Sequence, residues 1–177
     1  MTALALPTLD LYDSWAASVA EFGGAHVDGA AIADEEAADV SREACERLVA
    51  KTARDRNLTI PPPAGRVHAS SFWITDDGQV VGFIQLRHEL NEFLENVGGH
   101  IGYSVRSSSR RQGHARRALG LVLDEARALG LERVLITCDE DNGASARTIE
   151  SQGGELQDVI DAAAYGYGLT RRYWVKL

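Results

Sequence analysis

The stretch HIGYSVRSSSRRQGHARRALGLVLDEARALG, residues 100–130, decides how this chain folds. Residues 100–105 alternate as a strand does, and residues 106–113 are polar and punctuated, hence a loop. Residues 115–129 then place Ala118, Leu119, Val122, Leu123, Ala126 and Leu129 on one helical stripe, with Gly130 where a C′ glycine belongs. Gly113 and the small Ala115 let the backbone curl tightly, so that several N–H groups point one way. The helix starting there leaves its first N–H groups unpaired and adds the positive end of its dipole. A turn built this way binds a phosphate or a pyrophosphate. It is neither a G-x-x-x-x-G-K-[ST] loop nor a G-x-G-x-x-G fingerprint, because both spacings are missing.

Charge sharpens that reading. The chain has 177 residues and a net charge of −8, which argues against general nucleic-acid binding. Residues 106–117 hold five arginines and no acid, a local +5 that leaves −13 on the remainder. An acidic chain with one concentrated basic loop suits a small anion better than a polymer. The length fits one domain, and the composition, 45% hydrophobic and 25% charged, is that of a globular protein. No apolar run approaches a membrane span, and the first residues lack the basic region of a secretory signal. Cys45 and Cys138 are too few and too far apart for a disulfide scaffold or a zinc knuckle, so a cytoplasmic setting is expected, with no metal, membrane or nucleic-acid partner.

Working outward, residues 10–22 read as a helix with Leu11, Trp15, Val19 and Phe22 on one face. Residues 30–56 are rich in Ala, Glu and Arg and are expected to be mostly helical, although the front portion is polar. Pro61, Pro62 and Pro63 mark a linker. Residues 69–75 and 80–87 form a hairpin about Asp76, Asp77 and Gly78, and residues 90–97 are loop or a helical turn. After the central helix come a short buried strand (134–138), a helix from Asn142 to about Gln152, and two strands (155–160, 170–176). The order predicts an α+β, mixed α/β domain.

R-x-x-G-x-A between a strand and an amphipathic helix, followed by a strand (RVLITCDE), Asn142, a short helix ending at Gly153 and two closing strands, resembles the GNAT superfamily of acyl-CoA-dependent N-acetyltransferases. RHELNEFLENVGGHIGYSVR also resembles a bacterial subgroup of acetyltransferases without an assigned substrate. The similarity covers about residues 65–177, and the first 60 only in helix order. The resemblance implies a mostly antiparallel twisted sheet splayed between its fourth and fifth strands, flanked by helices. The pantetheine arm of acetyl-CoA, the co-substrate, would lie in that gap against Tyr103, Ser104 and Val105. Main-chain groups of Gln112, Gly113, His114 and Ala115 would grip the pyrophosphate, with Arg110 and Arg111 nearby, and Asn142 and Ser145 would touch the cofactor. One acyltransferase domain is expected over 1–177, with 1–60 a helical acceptor-side segment and 65–177 the sheet and acyl-CoA-binding core.

The implied reaction is direct attack of a small-molecule or peptide amine on the thioester, with the Val105 N–H facing the developing oxyanion. Ammonium with a pKa near 10 must first lose a proton. Candidate bases are His88, Glu89, Glu92 and His100, with His100 and Glu92 ahead. Many family members protonate the thiolate with a tyrosine that falls here at Ile149, so Tyr103, Tyr165, Tyr167, Tyr173 or solvent must serve instead. Cys138 as a nucleophile is the lesser reading beside a small buried thiol. The alternatives are a non-catalytic acyl-CoA-binding sensor or scaffold, and a nucleotide-phosphate binder using the arginine loop differently. The acidic remainder mildly favours a cationic acceptor, and a homodimer is compatible with the sequence.

Overall fold

A computed structural model describes residues 1–177. Seven strands form two antiparallel sheets, ordered β1-β2-β3-β4 and β5-β7-β6. In the first, β1 (Ala3–Ala5), β2 (Ala69–Asp76), β3 (Gln79–Arg87) and β4 (Ile101–Val105) pair consecutively, with β2 and β3 turning about Asp77 and Gly78. In the second, β7 (Leu169–Lys176) runs between β5 (Arg133–Asp139) and β6 (Glu155–Asp161). Arg172 locks β7 to β6 by a two-pronged contact with Asp158 at 2.7 and 2.6 Å, beside the register shift between Leu156 and Asp158.

Four helices cover the faces: α1 (Tyr12–Ala20), α2 (Arg42–Asp55), α3 (His114–Ala128) and α4 (Gly143–Glu150). The stripe foreseen on α3 is buried from Ala118 to Ala126, in one core cluster with Ile74, Ile84 and Ile101 of the first sheet and Val134, Ile136 and Tyr173 of the second. Helix α3 lies over the first sheet and against α4, and α4 lies against β5 and β7, so the cluster runs through both halves. Truncating one of its leucines costs roughly 2–5 kcal/mol. On the opposite face, Trp15 and Val19 of α1 with Cys45 and Leu48 of α2 pack on Trp73, Val80 and Phe83.

Two expectations need correction. The helix expected over 30–56 begins only at Arg42. Ser41 accepts from the Ala44 N–H at 3.1 Å and Asp39 accepts from the Ser41 N–H at 3.0 Å, a capping arrangement that sets the helix start. Residues 30–41 form a connection with one 3-10 turn, Asp34–Glu36. Strand β1 was not foreseen, since three residues show no period. Its pairing with Trp73, Ile74 and Thr75 creates it, and with it the gap falls between β4 and β5. Residues 90–97 resolve into a π-helical turn, Leu94–Gly98. No helix is long and apolar enough to cross a membrane.

Candidate active site

The β4–β5 gap is the central feature. The strands do not pair, yet a reciprocal contact stitches their near ends: the His100 N–H donates to the Leu135 carbonyl at 2.7 Å, and the Leu135 N–H donates to His100 Nδ1 at 2.9 Å. Antiparallel pairing fixes which way β4 faces. The Arg106 N–H donates to the Val81 carbonyl at 3.0 Å, so even-numbered residues of β4 bond to β3. Ile101, Tyr103 and Val105 therefore turn their main-chain N–H and C=O groups into the gap. Ser104, expected to line it through its main chain, bonds toward β3 instead. The Val105 carbonyl, aimed outward, accepts from Arg110 Nε at 3.0 Å, which draws the basic loop across the end of the strand.

The loop is built to leave donors free. Arg111 sits at φ 63° and Gly113 at φ 85°, so two left-handed residues reverse the chain within three positions. The N–H groups from Arg111 to Arg116 have no protein acceptor, six in succession ahead of the first closed turn of α3, where the Arg117 N–H reaches the Gly113 carbonyl. Arg110, Arg111, Gln112, Arg116 and Arg117 are exposed. The loop's other end is anchored on Glu21 at the end of α1, which accepts from the Ser107 hydroxyl at 3.1 Å and from the Ser108 N–H and hydroxyl at 3.1 and 2.8 Å. Burial pushes the Glu21 carboxyl up, but those donors and Arg106 outweigh it and leave its pKa lowered. The His114 ring is buried against Thr2, whose Oγ1 lies 2.9 Å from Nδ1, so only the main chain of His114 faces the loop's concave side.

Across the gap, Asn142 caps α4 by accepting from the Ser145 N–H at 3.0 Å. The Tyr103 hydroxyl lies 2.8 Å from Ser145 Oγ and joins β4 to the first turn of α4. Burial raises the Tyr103 pKa to about 12. A thiol near 8.5 is a far stronger acid than that phenol. The structure therefore makes Tyr103 a strut between β4 and α4, a weak source of protons. Ile149 is completely buried in the core, and the shell of α4 offers no phenol at that point.

The other proposed proton carriers scatter. His100 is 6% exposed, with Nδ1 taken by Leu135, and burial with the nearby Arg87 lowers its pKa to about 4. It is a neutral pin between the sheets. Tyr173 is buried within the core, donating to Glu150 at 3.2 Å. Glu92 stands exposed on the turn before Leu94. His88 is tied to Ser70 at 2.9 Å and stacks on His68, and Glu89 is exposed beside it. Sequence reasoning missed the connection between α1 and α2. Gly29 there packs directly on β3 and β4, where a Cβ would stand 2.4 Å from the Gly102 carbonyl oxygen. That connection carries Asp28, whose charge acts on Arg87 and Tyr103. No group of three or more His, Cys, Asp or Glu residues is placed to hold a metal.

A sheet parted between two neighbouring strands, with a turn of unpartnered N–H groups at the head of the helix that connects them, is consistent with an acyltransferase. Residues 34–153 match the family model described as Acetyltransferase (GNAT) family, and the chain belongs to that family. Solved structures agree in fold. RimL, a ribosomal L7/L12 alpha-N-protein acetyltransferase in complex with coenzyme A, superposes with a TM-score of 0.72 at 18% identity over 99% of this chain and 94% of its own. RimJ of Mycobacterium smegmatis, in complex with CoA-disulfide, gives 0.71 at 18% identity over 99% and 81%. The microcin C7 self-immunity acetyltransferase MccE, in complex with acetyl-CoA and AMP, gives 0.69 at 14% identity over 99% and 92%. No curated protein matches the chain in sequence.

Proposed function

We propose that this chain transfers the acetyl group of acetyl-CoA to an amine by direct attack, with no acyl-enzyme stage. The observation that carries the reading is the run of six unpartnered N–H groups from Arg111 to Arg116, set where the free edge of β4 ends. Those donors, the α3 dipole and the surrounding arginines fit a pyrophosphate. The outward main-chain groups of Tyr103 and Val105 suit the amides of a pantetheine arm, and Asn142, whose Oδ1 caps α4, keeps its side-chain NH2 as a further donor. The complexes of RimL with coenzyme A and of MccE with acetyl-CoA support such a ligand here.

In the reaction the amine nitrogen forms a C–N bond as the thioester C–S bond breaks. The Val105 N–H holds the negative charge that develops on the carbonyl oxygen. The ammonium proton leaves through water to bulk solvent, and the departing thiolate takes its proton from solvent. His100 holds β4 against β5 and keeps the gap's width. Residues 1–60 serve the acceptor side and 65–177 the cofactor side of one domain. The acceptor reading is an amine, as for the alpha-amino group modified by RimL.

Calorimetry with coenzyme A, paired with thiol release from acetyl-CoA over a panel of amines, tests the proposal. Binding that weakens at least about tenfold when Arg110 and Arg111 become alanine, together with amine-dependent thiol release, is expected. Coenzyme A binding that is indifferent to both arginines would remove the basis for the assignment.

A further inference from the structure

One half-buried charge beside β4 lacks a counterion. Arg87 ends β3, and its side chain reaches the turn before β4, where Nη1 donates to the Gly98 and Gly99 carbonyls at 2.8 and 3.2 Å. Its main chain is held as well, since the Arg87 N–H donates to the His100 carbonyl at 2.7 Å. The guanidinium forms no ion pair, and Nε and Nη2 find no protein acceptor. That leaves the Nε–Nη2 edge open, the edge with which a guanidinium takes a carboxylate two-pronged. Arg172 uses the same edge on Asp158 elsewhere in this chain. Asp28, the carboxylate whose charge reaches Arg87, is turned to His26 at 3.3 Å. Burial lowers the Arg87 pKa, yet a guanidinium stays protonated, and a cation withdrawn from water without a counterion is costly.

The guanidinium lies beside a place where β4 carries no side chain. A Cβ on Gly102 would stand 3.8 Å from Nη1 and 3.9 Å from Nη2 of Arg87, and 3.5 Å from the Gly29 nitrogen. These are ordinary van der Waals distances, and Gly102 has no left-handed φ, so neither crowding nor backbone conformation requires a glycine there. Gly29 itself is buried in the α1–α2 connection, and its N–H has no acceptor. A buried N–H without an acceptor is rare. Charged donors from β3 and an orphan N–H from the α1–α2 connection thus meet at one bare spot on β4. Convergent donors with no acceptor among them suit an oxyanion. Resting on the amine reading above, we infer that the acceptor amine carries a carboxylate, which seats on the Nε–Nη2 edge of Arg87 and the Gly29 N–H over Gly102 while the amine reaches the gap. Val105 lies three residues further along β4, roughly 10 Å away. Amine and carboxylate are therefore several bonds apart, as in an ω-amino acid or a short peptide. The mild preference for a cationic acceptor drawn from net charge does not extend to this spot, where the local charge has the opposite sign.

The test is calorimetry on the full chain saturated with coenzyme A, using three five-carbon amines that differ only at the far end: 5-aminopentanoate, pentylamine and 1,5-diaminopentane. The carboxylate is expected to bind at least about tenfold more tightly than pentylamine, and the diamine more weakly than pentylamine. The spread narrows at high salt because it is electrostatic. Gly102→Ala keeps the fold, since its methyl meets only ordinary contacts, and lowers the preference by filling the bare spot. Arg87→Gln removes the preference, and should that variant not fold, the wild-type series and Gly102→Ala still decide. Equal affinities, no measurable binding of any of the three, the reverse order, or a preference untouched by Gly102→Ala overturn the inference. Thiol release run in parallel separates the two readings. Equal turnover of 5-aminopentanoate and pentylamine keeps the transferase and sinks the carboxylate seat. Tight coenzyme A binding without release from any amine sinks the amine reading, while the order of the three affinities still decides the seat.

Discussion

Replacing Gly29 with alanine tests whether the α1–α2 connection rests on the opened sheet. Gly29 has φ +80°, and an added Cβ would stand 2.4 Å from the Gly102 carbonyl oxygen and 3.0 Å from the Ile84 Cα. A non-glycine residue in the left-handed region costs roughly 1–2 kcal/mol. Forcing a methyl into packed backbone adds roughly 1–3 kcal/mol, because the connection must lift off β4 to relieve it. Gly23→Ala is the matched control, with φ +62° and nothing within 4 Å of the new Cβ. It bears the first cost without the second, and the gain from a stiffer unfolded chain is shared by both variants and cancels. The predicted difference of roughly 1–3 kcal/mol corresponds to roughly 2–12 °C in Tm for a chain of this size. Thermal melts of the two variants read it directly. Since the lifted segment carries Asp28, KM for the amine should rise in Gly29→Ala while coenzyme A affinity holds. Melting temperatures that coincide for the two variants would refute the packing argument.

Four further outcomes are expected. Arg111→Gly removes a left-handed non-glycine residue and should raise stability by about 1 kcal/mol, yet weaken coenzyme A binding severalfold, with urea melts and calorimetry moving in opposite directions. Asn142→Ala deletes the α4 cap and should cost about 1 kcal/mol in denaturant titration, with loss of the Tyr103–Ser145 contact visible as a shifted tyrosine signal. Glu21→Ala frees the Ser107–Ser108 end of the basic loop and should raise the Kd for coenzyme A with little change in Tm, as its contacts are largely exposed. His100, with its pKa lowered to about 4, should show no NMR titration above pH 5 or so; because the unfolded chain takes up that proton near pH 6.5 and the folded one does not, stability falls with acidification between those values by up to roughly 3 kcal/mol.

What the sequence discloses here is what local rules determine. The stripe from Ala118 to Ala126 and the basic loop before it depend on neighbours within a few residues, and both appear where their spacing places them. The start of α2 depends on the Asp39–Ser41–Ala44 hydrogen bonds, which compete with a helix-rich composition on either side. Strand β1 exists only through a partner some 70 residues on. His100 shows the same limit at a functional position. A strand-end histidine reads as a base until Leu135 closes on its Nδ1.

The stitch at His100 and Leu135 has a mechanical meaning. Two plates riveted at one corner and braced beyond it by the Tyr103–Ser145 strut keep a slot of set width between them. A molecule wedged between them becomes the missing rung of the ladder. Amide exchange along Thr137 and Val105 should slow on loading, while the outer strands β1 and β6 keep the rates they had before.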